Sequence, residues 1–127
     1  MKRAGLLVGG ALAAACAPLA ASGGTGSPAG VRAFQKCYAC HSLDPGETGL
    51  TGPSLRAIVG RTIAAEPGFA YSPAMRAYAA GQGRWTREAL DAFIADPQGV
   101  VPGNGMGFFG MRDPAERRAL IAYLELN

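Results

Sequence analysis

Histidine and cysteine are scarce. His41 is the sole histidine, and Cys16, Cys37 and Cys40 are the only cysteines among 127 residues. This excludes a disulfide scaffold and any metal centre assembled from several imidazoles. Lysine is equally rare, at positions 2 and 36 alone. No basic stripe with interleaved aromatics occurs, which excludes nucleic acid as a partner. No segment alternates apolar and polar residues as a strand would, which removes sandwiches, barrels and α/β layers. Apolar runs are short. Ala4 to Ala15 is 12 residues, and stretching it to Ala21 gives 18 residues with Pro18 inside, marginal for a membrane span.

What is present begins with a targeting pattern. "MKR" is basic, "AGLLVGGALAAA" is apolar and "CAPLAASGG" is small-residue rich, the order of a secretory signal peptide. We assign residues 1–22 to it, cleaved after Ala21 or Ser22, and expect export to the periplasm. "LAAAC" also resembles a lipoprotein signal that would lipidate Cys16, although Ala13 stands where leucine is usual. Membrane attachment is expected only through that lipid or a retained signal. Residues 23–29, "GGTGSPA", read as a flexible leader, and residues 30–127 as one domain. Loss of Lys2 and Arg3 with the signal leaves ten basic against nine acidic residues, so the formal charge falls from +3 to +1.

The domain reads as helices punctuated by glycine and proline. "SPAGVRAFQKCYACH" opens on Ser27 and Pro28 as cap and first-turn residues, with Val31, Phe34 and Tyr38 on one apolar face. "GPSLRAIVG" predicts a short helix ended by Gly60. "SPAMRAYAAG" predicts another, capped by Ser72 and ended by Gly81. "TREALDAFIADP" is capped by Thr86, buries Leu90, Phe93 and Ile94, and stops at Pro97. "GVVPGNGMGFFGM", with five glycines, predicts irregular backbone. "DPAERRALIAYLELN" has Asp113 as cap, Pro114 at the first position and Glu116 three after the cap. Leu120, Ile121 and Leu124 form its buried stripe. The expectation is an all-α fold of three main helices, short helices and long loops, which needs something rigid at its centre.

"CYACH", Cys37 to His41, offers three chemistries. Structural zinc wants four ligands, and only three are at hand. A redox dithiol usually follows a strand, which this chain lacks, and gives His41 no fixed role. Haem attachment uses every residue: C-x-x-C-H supplies two thiols for thioether links and an imidazole for iron. A second axial ligand has three candidates beyond the signal. Met75 lies on a predicted helix, Met111 stands close to the last helix, and Met106 sits in the pliant loop "VPGNGMGFFG". We assign Met106, with Met111 as fallback.

These residues together resemble a class I cytochrome c, the small soluble monohaem type, over roughly Gly30 to Leu126. "FQKCYACH", "TGPSL", "VGR" followed by "PGFAYS", Trp85, "IADPQGVVPGNGM" and "RALIAYL" fall in that family's order. The resemblance implies the cytochrome c fold around one covalently bound haem c. Cys37 and Cys40 would be the thioether donors, His41 the proximal ligand and Met106 the distal one. It implies that the Pro53 carbonyl bonds the other ring nitrogen of His41. It implies that Arg61, Tyr71 and Trp85 bond the propionates, and that Gly30, Phe34 and Tyr123 lie where first and last helices cross.

Three departures stand out. Phe93 replaces a frequent tyrosine and lacks its hydroxyl. Asn104 replaces a common threonine and is expected to substitute as a donor at the haem. The lysine ring is reduced to Lys36, with Gln98, Gly99 and Gly105 uncharged and Arg112 keeping one charge. The implied function is a one-electron carrier, not an enzyme. Its partners would be transient: a reductase or dehydrogenase as donor, an oxidase or peroxidase as acceptor, with the carrier itself monomeric. The alternatives are a haem subunit of a dehydrogenase complex and a peroxidase-like enzyme with an open iron site.

Overall fold

A computed structural model describes residues 26–127. The signal peptide, its cleavage site and Cys16 lie outside the described residues. Five helices follow in order: α1 Pro28–Phe34, α2 Pro73–Gln82, α3 Arg87–Ala95, α4 Pro97–Val100 and α5 Pro114–Glu125. The described residues contain no strand, only an isolated antiparallel bridge between Thr62 and Arg84.

Each helix starts on a side-chain cap. Ser27, Ser72, Thr86, Asp96 and Asp113 accept from the backbone N–H of Gly30, Met75, Ala89, Gly99 and Ala115. Proline opens every helix but α3, where Arg87 stands first and Glu88 favours the dipole. Helix α1 begins at Pro28, inside the leader assigned to residues 23–29. Its cap is Ser27, and Gly26 is already buried against the Tyr123 ring, where a Cβ would collide.

Helices α1 and α5 pack together, with α3 against α5 and α4 against α3. The face that α1 buries differs from the expected one. Val31 is 40% and Tyr38 59% exposed, while Gly30, Ala33 and Phe34 are buried. The crossing with α5 selects small residues. A Cβ on Gly30 would lie 2.7 Å from both the Ala119 carbonyl oxygen and Tyr123 Cβ. The Phe34 and Tyr123 rings pack with centroids 5.6 Å apart. Leu120, Ile121 and Leu124 of α5 join Leu90 and Phe93 of α3 in the core. Arg117 closes the junction: Nε donates to Asp91 Oδ1 at 2.8 Å, and Nη1 to the carbonyls of Met111 and Arg112 at 2.9 Å.

Two boundaries shift. Residues 53–60 are turns, not the expected helix. A helix would need the Ala57 N–H to reach the Pro53 carbonyl. Instead Ala57 has φ +50° and donates to the Asn127 carbonyl at 2.8 Å, and the Pro53 carbonyl serves His41. Helix α2 also runs past Gly81 and ends at Gly83, which adopts φ +78°.

Candidate haem-binding site

Beyond α1 the chain tightens into turns. Lys36 N–H donates to the Ala33 carbonyl and Cys37 N–H to that of Phe34. Cys40 and His41 N–H then share the Cys37 carbonyl at 3.1 and 3.0 Å. These bonds set Cys37, half-buried, and Cys40, exposed, one turn apart with His41 immediately after. Burial pushes the Cys37 thiol up to about 11, against the pull of Lys36 and with further push from Cys40 and Glu116. Reactive dithiols need the opposite shift, so the redox-dithiol reading loses ground.

His41 Nδ1 lies 2.7 Å from the Pro53 carbonyl oxygen. That oxygen can only accept, so Nδ1 carries the proton and Nε2 keeps its lone pair. Burial lowers the imidazole pKa, with the Pro53 bond opposing, and a neutral ring is what ligation requires. Gly52 makes this possible. Its N–H donates to the Cys40 carbonyl at 2.8 Å, and a Cβ there would lie 2.6 Å from His41 Nδ1.

Cys37, Cys40, His41 and Pro53 all line one cleft of about 420 Å³, within the usual range for cofactor sites. Its walls are apolar, with Leu55, Ile58, Leu90, Phe93, Ile94 and Leu120. Arg61, Tyr71 and Trp85 line it too. A short backbone pairing puts Arg61 and Trp85 side by side: Gly60 N–H donates to the Trp85 carbonyl and Trp85 N–H to that of Arg61. Trp85 in turn stacks obliquely on Tyr78 and Phe93.

Arg61 tests the fit of a haem here. Its Nη1 bonds the Arg56 carbonyl and Glu66 Oε2, and its Nη2 bonds the Ser54 carbonyl at 2.6 Å. Its Nε is buried with no partner among the described residues. A buried cationic N–H without an acceptor is costly, and a propionate is an acceptor of the right charge. Tyr71 Oη accepts from Glu66 N–H at 3.1 Å, which leaves its own proton to donate. Burial raises its pKa, opposed by the Glu66 N–H and Arg61, with the Glu66 charge adding to the rise, so it remains a neutral donor. The donor set, the apolar walls and the orphan Nε all fit haem.

The methionines separate. Met106 is half-buried and lines the cleft with Gly105, Gly107 and Phe108. Met75 reaches the cleft from α2. Met111, the fallback, is 2% exposed in the core, its N–H donating to the Ile94 carbonyl at 2.8 Å, and it does not line the cleft.

Asn104, expected as a donor at the haem, lines the cleft, and its side chain also engages the loop. Its Nδ2 protons go to the Pro97 and Val101 carbonyls, both at 2.9 Å, and its Oδ1 accepts the Met106 N–H at 2.8 Å. Both Nδ2 protons thus go to the loop, where they add to the backbone N–H groups of Val101 and Asn104 that the same two carbonyls accept. Two further residues were missed from sequence. Gly52 could have been flagged as a glycine beside the proline that faces an imidazole. Gln98 reads only as an uncharged surface position, yet its Oε1 accepts from Gly103 N–H and its Nε2 donates to the Asn104 carbonyl, each at 3.2 Å.

Comparison with known proteins agrees with this geometry. The Cytochrome c family model matches residues 27–126. Cytochrome c2 of Agrobacterium tumefaciens (strain II Chrys) is 42% identical over 96 residues, covering 75% of this chain and 86% of its own. Cytochrome c2 of Blastochloris viridis is 37% identical over 114 residues, covering 90% and 85%. Among solved structures, cytochrome cH from Methylobacterium extorquens superposes with a TM-score of 0.71 at 34% identity, over 80% of this chain and 99% of that one. A match across nearly the whole described domain, joined to the CYACH geometry and the apolar cleft, places this chain in the cytochrome c family.

Proposed function

We propose that this protein carries single electrons through one covalently bound haem c, attached at Cys37 and Cys40, with His41 and Met106 as axial ligands. One observation carries the reading: both thiols, the Pro53-bonded imidazole and Met106 line a single apolar cleft. The bound haem supplies the Fe(III)/Fe(II) couple. The protein's part is placement and electronics. Pro53 fixes the tautomer and strengthens His41 as a donor. The thioether of Met106 favours Fe(II), and the apolar walls keep water away, so the potential is positive. Arg61 Nε and the Tyr71 hydroxyl receive the propionates. Trp85 stands beside Arg61 as a third donor.

Carriage rather than catalysis follows from the ligand set. With haem bound, His41 and Met106 would both be taken up as ligands, and the chain has no second histidine to serve as distal acid or base. The same placement disfavours the peroxidase-like alternative, and nothing in the fold calls for a larger dehydrogenase assembly. The work proceeds as a monomer in the periplasm, after loss of residues 1–22. In the described residues no helix is long and apolar enough to cross a membrane. Partners dock briefly over the edge near exposed Cys40, taking electrons from a reductase or dehydrogenase and delivering them to an oxidase or peroxidase. Lys36, the sole lysine left, is paired with Glu116 at 2.7 Å.

The intact mass of the exported protein tests the attachment, and is expected to show one haem added to the chain that begins after residue 21 or 22. A mass without haem would sink the proposal. A lipid on Cys16 would correct the expected first residue.

A further inference from the structure

We infer that Gln98 and Asn104 form an amide clasp that holds the Met106 loop shut, and that this clasp governs how readily Met106 leaves iron. The inference rests on Met106 as distal ligand. Residues 101–106 have little regular structure to hold them: α4 ends at Val100, and Met106 follows six residues later through two glycines and a proline. Five side-chain hydrogen bonds supply the missing restraint. Gln98, on α4, grips the loop from outside at Gly103 N–H and at the Asn104 carbonyl. Asn104 grips it from inside, spanning from Pro97 and Val101 to the backbone N–H of Met106. Asn104 is 7% exposed; its bonds to the Pro97 and Val101 carbonyls are buried and that to the Met106 N–H is part-buried. The amide assignment is forced, because carbonyls must receive N–H and the Met106 N–H must find oxygen.

Opening the loop far enough to free the sulfur requires breaking the Met106 N–H bond to Asn104. Asn104 is thus a positioning residue that acts through Met106, and Gln98 supports it. A neutral hydrogen bond is worth roughly a fivefold change in population. Gln98→Ala removes one exposed and one part-buried bond and is expected to speed loop opening about fivefold, the weight of a single full bond, because water replaces part of each. Asn104→Ala removes three, two buried and one part-buried, and is expected to speed it on the order of a hundredfold, the same per-bond factor compounded.

Two readouts on the oxidised holoprotein test this. The first is amide hydrogen exchange at Gly103 and Met106. The second is the rate at which imidazole displaces the sixth ligand, followed by loss of the iron–sulfur charge-transfer absorption. Faster exchange at both amides together with faster imidazole entry supports the clasp. Exchange and imidazole entry both at wild-type rates would overturn it, as would faster amide exchange with unchanged imidazole entry. Should Asn104→Ala fail to fold, Gln98→Ala carries the test, since that side chain is exposed. The Met106 reading fails separately: the charge-transfer absorption would then survive in Met106→Ala, with Met75 the other methionine at the cleft.

Discussion

Gly52→Ala should damage the proximal side of the site more than its size suggests. The backbone tolerates the change, since Gly52 is not among the positive-φ glycines. The obstacle is the imidazole. The new Cβ would lie 2.6 Å from His41 Nδ1, 0.8 Å short of the 3.4 Å at which ordinary contact begins, and 2.9 Å from the Cys40 carbonyl oxygen. The Cys40 carbonyl is held by the Gly52 N–H itself, so the ring must move, and a shift of this size is expected to strain or break its 2.7 Å bond to the Pro53 carbonyl. Overpacking of this kind costs about 1–3 kcal/mol. At about 4–8 °C per kcal/mol for a domain this size, the melting temperature falls by at least about 4 °C. Loss of the Nδ1 bond also weakens His41 as a donor to Fe(III). If about 0.5–1 kcal/mol of preference for Fe(III) is lost, the potential rises by roughly 20–40 mV. Differential scanning calorimetry and voltammetry read the two effects. Gly81→Ala is the control: its Cβ meets nothing, it lies within α2, and it should stabilise by up to about 1 kcal/mol. A Gly52→Ala protein with wild-type melting temperature and potential would refute the reasoning. A lower melting temperature at unchanged potential would refute the part assigned to the Pro53 bond.

Replacement of the methionines should separate ligand from core. Met106→Ala abolishes the iron–sulfur charge-transfer absorption and lowers the potential, whereas Met111→Ala keeps the absorption and costs about 2–5 kcal/mol of stability. An unchanged spectrum in Met106→Ala would transfer the ligand role to Met75, the other methionine at the cleft. Arg61→Gln should lower the potential by tens of millivolts, because a unit charge roughly 10 Å from a redox centre is worth about 1.7 kcal/mol at an effective dielectric of about 20. An equal or higher potential in voltammetry would contradict the propionate role. Electron transfer with a physiological partner should depend weakly on salt, since Lys36 is neutralised by Glu116 and the other ring positions are mostly uncharged. A steep fall in stopped-flow rate with added salt would show a charged interface instead.

Local chemistry made α3 and α5 legible from sequence. Thr86 and Asp113 announce the caps, and the apolar spacing of Leu90 with Phe93, and of Leu120 with Leu124, gives the buried faces. Helix α1 misled for a physical reason. Hydrophobicity points to Val31 and Tyr38, but a close crossing rewards the absence of side chain; Gly30 was placed there only by the resemblance, and Ala33 not at all. The segment 53–60 misled for another. Its helix-forming N–H and C=O groups are claimed by Asn127 and His41, partners distant in sequence. The CYACH segment that lines the cleft stood out in the sequence because attachment chemistry fixes residue types at fixed spacing. Asn104 lies at the cleft, but its bonds to the loop were not legible, since a substitution seen against a family pattern does not reveal which carbonyls lie within reach.

These misreadings have a common source in the site's construction. Most of the cleft is walled by turns and loops, where the backbone lacks a helical ladder and its polar groups must bond elsewhere. Long polar side chains supply those bonds. Arg61 takes the carbonyls of Ser54 and Arg56, Asn104 those of Pro97 and Val101, and Arg117 those of Met111 and Arg112. Each also binds a second segment, through Glu66, the Met106 N–H and Asp91 respectively. Each therefore substitutes for a piece of secondary structure while leaving the backbone free to curve around a flat ring. A sequence reading that looks for periodicity sees these three residues only as polar positions. Their energetic weight lies in the bonds they make, which is why truncating Arg61 or Asn104 should loosen a loop at the cleft, and truncating Arg117 the segment between α4 and α5, before a helix unfolds.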